Sequence, residues 1–164
     1  MTAYPHAPII VVGYDGSAPA RAAVRLASER VADGKVFVVH AYEAPPDFLG
    51  SEYYDELLQR PLNRGTGILA EIANDSELRL AGVDHEVELV AGRPSEVLAS
   101  VAETPCADEI IVGTRGFGKV RAVLGSVGHE LLHEAPCPVT AIPARALGPA
   151  PDAEQPVERE SVAG

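Results

Sequence analysis

The sequence predicts an α/β fold, an open parallel sheet with helices on both faces, and three observations carry that prediction. Four short runs rich in Val and Ile are continuously apolar rather than alternating, as strands buried on both faces are. Segments with helical spacing of apolar residues separate the strands, so crossovers join them and they run parallel. The interior is aliphatic, because 46% of the 164 residues are hydrophobic and only 5% aromatic.

Residues 1–7 are expected to form a loose arm before a domain spanning 8–145. Pro8 to Gly13 (PIIVVG) reads as the first buried strand. Tyr14, Asp15 and Gly16 make a turn, Ser17 suits an N-cap, and Pro19 fits a first helical turn. Val24, Ala27 and Val31 continue a helical stripe that ends near Gly34. Lys35 to Tyr42 (KVFVVHAY) is the second buried strand, with His40 expected to be a satisfied core histidine. Glu43 to Arg60 reads as a long acidic connection, after which Pro61 opens a helix running to about Ala81, weakened at Gly65 and Gly67.

Val83 to Val90 sets Glu86 and Glu88 against Val87 and Leu89, a strand with one wet side and so at the sheet edge. Gly92, Arg93 and Pro94 turn into a short helix with Val97, Leu98 and Val101 inward. Ile110 to Val112 begins the fourth strand, a helix covers about Val127 to Ala135, and Val139 to Pro143 is the fifth strand. Residues 146–164, rich in Pro, Glu and Ala, have little to bury and are expected to form a disordered tail.

A net charge of −11 argues against nucleic acid and against an anionic membrane surface as partners. No apolar run approaches a membrane span, and the first residues lack the pattern of a signal peptide, so the expected location is cytoplasmic. Cys106 and Cys137 are then expected to be reduced thiols.

The chemistry concentrates after the fourth strand. Gly113, Gly116 and Gly118 form a glycine loop, followed by Gly125 and Ser126 at the start of a helix. Glycines let main chain approach a phosphate, and loop and helix N–H groups point at it. The chain holds 24 acidic against 13 basic residues, yet Ile110 to His129 contains no acid and three bases, Arg115, Lys119 and Arg121. Such a loop leaves room for an anion; the plain alternative is a turn whose glycines serve geometry alone. In an open parallel sheet, ligands sit beyond the carboxyl ends of the strands where strand order reverses. Asp15 ends the first strand, so it shares that crevice if the first and fourth strands are neighbours. Asp15 either caps its own turn or accepts hydrogen bonds from a ligand, and Ser126 is a cap whose hydroxyl and N–H can also meet phosphate.

Two motifs are set aside. Gly113, Gly118 and Lys119 fit a P-loop, but Val120 stands where that motif needs a hydroxyl. His129 and His133 fit H-E-x-x-H, but no convincing third ligand follows, so no metal site is expected. No catalytic constellation can be defended from spacing.

From Pro8 to Ala144 the chain resembles the universal stress protein family, of the ATP-binding type. The resemblance rests on IIVVGYDGS, VVHAY, GRPSEVL and, above all, ADEIIVGTRGFGKVRAVLGSVGHELLHEAPCPVTAIP. It implies a Rossmann-like fold, akin to the adenine nucleotide α-hydrolases, with strand order 3-2-1-4-5. It also implies a homodimer through Val139–Pro143 and a role as sensor or adaptor in stress response, read by a protein partner the sequence does not name, with slow ATP hydrolysis at most. The family's ATP pattern, G-x2-G-x9-G-[S/T], falls here on Gly113, Gly116, Gly125 and Ser126, with eight residues rather than nine between Gly116 and Gly125. By that carry-over Gly13, Tyr14 and Asp15 lie at the adenosine end, and Ala41 offers main-chain groups to adenine. Val112 and Gly113 line base and ribose, and Gly116, Gly125, Ser126 and Val127 meet the phosphates. Charge adds Arg115 and Lys119. The implied cofactor is ATP with Mg²⁺; a shorter loop harms a triphosphate more than AMP or cyclic AMP, which stay as alternatives beside a nucleotide-free scaffold.

Overall fold

In a computed structural model of the chain, residues 6–46, 51–74, 80, 82–114 and 125–143 are described. Strands and helices alternate: β1 (Ile9–Gly13), α1 (Ala18–Arg30), β2 (Lys35–Tyr42), α2 (Ser51–Asn74), β3 (Asp84–Ala91), α3 (Pro94–Glu103), β4 (Glu109–Thr114), α4 (Ser126–Glu134) and β5 (Val139–Pro143). The five strands form one parallel sheet in the order β3-β2-β1-β4-β5. The predicted fold class and strand order are therefore those observed.

The sheet is covered on both faces, which is why its central strands are apolar without alternation. Ile10, Val12, Val36, Val38 and Ile111 pack with Val24, Ala27 and Ile72 beneath α1 and α2. Val11, Val39, Ile110 and Val112 pack with Val97, Leu98 and Leu131 beneath α3 and α4. The buried acid Glu109 closes the foot of β4, taking Arg30 Nη1 at 2.7 Å and the Thr140 hydroxyl, so α1 and β5 share one carboxylate. No helix among the described residues is long and apolar enough to cross a membrane.

Two expectations need correction. Ser51 to Arg60 is helix rather than connection, because α2 runs straight through Pro61. Proline removes one ladder bond, and a run of Glu, Leu, Gln and Arg on its N-terminal side outweighs that loss. Gly65, whatever it costs in helix propensity, is buried, and a Cβ there would lie 2.5 Å from Leu89 Cδ1, so it lets the helix sit close on the sheet. Val87 was expected on the dry side of β3 but is 42% exposed, because α2 covers the strand only nearer Leu89.

Candidate functional site

The carboxyl ends of β1 and β4 lie side by side, Gly13 opposite Val112, which is where the strand order reverses. Past Gly13 the chain turns sharply. Asp15 Oδ1 accepts from the Ser17 N–H at 3.0 Å, and Gly16 sits at φ +79°. Ser17 Oγ then caps α1 by accepting from the Ala20 N–H at 3.3 Å. The capping role of Asp15 is thus present, and Asp15 also borders the cavity described next.

That cavity has a volume of about 380 Å³. Gly13, Tyr14, Asp15 and Ala20 line one side, and Val39, His40 and Ala41 the end of β2. Pro94 and Leu98 belong to α3, Val112 and Gly113 to β4, and Gly125, Ser126, Val127 and Gly128 to the start of α4. Two glycines hold its walls together. A Cβ on Gly113 would lie 2.7 Å from Ala20 N and from Pro19, so β4 and α1 meet there only because Gly113 lacks one. A Cβ on Gly13 would lie 2.9 Å from Leu98 Cδ1.

The α4 end of the cavity is formed by the start of a helix. The first intrahelical bond of α4 runs from the His129 N–H to the Gly125 carbonyl, so the amides of Ser126, Val127 and Gly128 precede the ladder. Gly125, extended at φ −63° and ψ 164°, is the N-cap, and Ser126 is the first helical residue. This corrects the expectation that Ser126 caps the helix: glycine already supplies the extended cap geometry, which leaves the exposed Ser126 hydroxyl outside that role.

From behind, α4 is tied to α3. The buried Ser95 hydroxyl donates to Glu130 Oε2 at 2.6 Å, Arg93 Nη2 lies 3.3 Å from Glu130 Oε1, and Arg93 Nη1 lies 3.0 Å from Glu96. The Ser95 hydrogen bond, then the Arg93 charge, hold the Glu130 carboxyl below the usual glutamate range. On the exposed face His129 and His133 meet edge to face, ring centroids 5.5 Å apart. No group of three His, Cys, Asp or Glu that could hold a metal occurs among the described residues.

Of the predicted site residues, Gly13, Tyr14, Asp15, Ala41, Val112, Gly113, Gly125, Ser126 and Val127 all border this one cavity. Arg115, Gly116 and Lys119 lie outside the described residues. Sequence reasoning did not place Ala20, Val39, Pro94, Leu98 and Gly128 at the site, since each reads as ordinary core or helix start. His40, taken for core, is half-buried at its edge, with Nδ1 2.7 Å from the Tyr14 carbonyl oxygen. The cavity thus offers an aliphatic slot between Val39, Ala41, Leu98 and Val112, a carboxylate at one side and helix-start amides at the other. Such a combination suits a flat apolar ring joined to an anionic group.

The chain is similar to known proteins over most of its length. The Thermus aquaticus universal stress protein in the QAH/OAS sulfhydrylase 3'region is 41% identical over 134 residues, covering 79% of this chain and 94% of the relative. Among solved structures, the universal stress protein UspA from Lactobacillus plantarum superposes with a TM-score of 0.65 at 21% identity, over 85% of this chain and 99% of that one. A universal stress protein crystallised in complex with cAMP is 27% identical with a TM-score of 0.60, over 82% of this chain and 95% of that one. The family model described as "Universal stress protein family" matches residues 7–143, and this chain belongs to the universal stress protein family.

Proposed function

We propose that the cavity between β1, β4 and α4 binds an adenine nucleotide and that the chain works as a dimeric sensor or adaptor in the stress response. The observation that carries this is the meeting, on one cavity of about 380 Å³, of Asp15, the aliphatic slot and the α4 amides. In this reading Val112, Leu98 and Ala41 flank the base, and Asp15 accepts a hydrogen bond from the nucleoside. The amides of Ser126, Val127 and Gly128 receive phosphate. ATP with Mg²⁺ is the leading ligand, with Gly116, Arg115 and Lys119 completing the phosphate end.

A second reading, cyclic AMP or AMP, is favoured by the eight-residue spacing between Gly116 and Gly125 and by the cAMP complex of the 27% identical relative. The dimer would form through β5, which stands at the end of the sheet order. A cytoplasmic location belongs to this reading, and the net charge of −11 speaks against a nucleic-acid partner.

A thermal melt of the pure protein, alone and with ATP–Mg²⁺, AMP or cyclic AMP, tests the ligand. A ligand at a hundred times its Kd adds about 2.7 kcal/mol, roughly 5–11 °C in a chain of this size. A shift with ATP–Mg²⁺ supports the triphosphate site, and a shift with only AMP or cyclic AMP selects the second reading. No shift with any of them would leave a nucleotide-free dimeric scaffold.

A further inference from the structure

His40 borders the cavity where β2 ends. It shares the face of β2 with Val36 and Val38, which pack under α1 and α2, whereas Val39 packs on the α3 side. A Cβ on Gly65 of α2 would lie 3.0 Å from His40 Cδ2, so the ring is lodged between β2 and α2. Its Nδ1 is 2.7 Å from the Tyr14 carbonyl oxygen. A carbonyl only accepts, so Nδ1 carries the proton and donates.

That bond fixes a particular peptide. The Tyr14 N–H already donates to the Val39 carbonyl at 2.9 Å, so both main-chain polar groups of Tyr14 aim at β2. All peptides among the described residues are trans. The Asp15 N–H, on the same peptide plane as the Tyr14 carbonyl, therefore points the opposite way, toward β4, where Val112 and Gly113 border the cavity. The described β1–β4 ladder ends with Gly13 opposite Val112, and the His40 bond is one hold on the peptide that follows.

We infer that His40 is a positioning residue of the nucleotide site: its Nδ1–H locks the Tyr14–Asp15 peptide and so aims the Asp15 amide, and the carboxylate that follows it, into the cavity. This rests on the proposed nucleotide reading.

Isothermal titration of the full chain with AMP, cyclic AMP and ATP–Mg²⁺ separates the two ideas. His40→Leu removes the donor and is expected to weaken binding about tenfold, the worth of one hydrogen bond. His40→Asn keeps an N–H near the Nδ1 position and is expected to restore most of the affinity, while a purely structural role would lower the melting temperature and leave Kd alone. Should His40→Leu melt below the titration temperature, His40→Gln, polar but with its donor displaced, takes its place and is expected to show the same loss. Unaltered Kd in the donor-free variant overturns the inference, as does an Asn variant as weak as the Leu variant. No binding by the unaltered chain overturns the nucleotide reading itself and the positioning role with it.

Discussion

Gly113→Ala adds one methyl group at the junction between the site and the helix that follows Asp15. The new Cβ would fall 2.7 Å from Ala20 N, the Pro19 carbonyl carbon and Pro19 Cβ. Real Cβ contacts sit near 3.5–4 Å, so β4 and the start of α1 must part by roughly 1 Å. Neither side yields easily: two of the atoms are main chain, the third is a locked ring, and β4 is held by β1 and β5. Overpacking of this kind costs about 1–3 kcal/mol, offset by about 0.4–1 kcal/mol from the stiffer unfolded chain. At the middle of both ranges the net loss is about 1.3 kcal/mol, which lowers Tm by roughly 3–5 °C for this size. Gly67→Ala supplies the opposite sign. It lies inside α2 with nothing within 4 Å of its Cβ, so it should gain the helix preference of Ala over Gly, about 0.8–1 kcal/mol. Calorimetric melts of both variants beside the parent chain make the comparison. A Gly113→Ala protein as stable as the parent would show that the close approach of β4 to α1 is wrong.

The clamp on α4 should depend on acid. The Glu130 carboxyl is held below its ordinary 4.5 by Ser95 and Arg93, so its contribution is present at neutral pH and fades as pH falls below 4.5 through the lowered value. Glu130→Gln should therefore melt below the parent at pH 7, with the gap closing in acid; a gap that stays constant down to pH 3 would contradict the clamp. Gly116→Val should abolish nucleotide binding, because a branched side chain blocks close approach of the loop main chain to phosphate; unchanged affinity in a titration would remove that loop from the site. Deleting residues 146–164, whose composition offers little to bury, should leave Tm within about 2 °C of the parent. A drop of several degrees would show that the tail packs on the domain.

Much of the fold could be read from pattern because both faces of the sheet are covered. Lys35–Tyr42 and Val139–Pro143 are strands at the predicted bounds, since continuous aliphatic runs flanked by turn residues have few other uses. The edge position of β3 was legible from its alternating acids, although its exposure was not, because that depends on how far α2 reaches. The start of α2 was hidden by Pro61, a local signal that a long helix overrode. The two ends of the site could be read because glycines and a strand-end Asp have strong local meanings. Its floor could not, since Leu98 and Val39 obey the same burial rule as any core residue. His40 was read as satisfied core from its buried-strand pattern, but its partner, a main-chain carbonyl 26 residues earlier, is something no side-chain pattern reveals.

The measurement that bears most directly on the nucleotide site is a titration of the ¹⁵N-labelled chain with cyclic AMP and with ATP–Mg²⁺, followed by amide resonances. The account predicts that the earliest and largest shifts fall on Asp15, Ala41, Val112, Gly113 and the Ser126–Gly128 amides, with β3 and the foot of the sheet near Glu109 unmoved. Shifts centred elsewhere, or none at millimolar nucleotide, would contradict it.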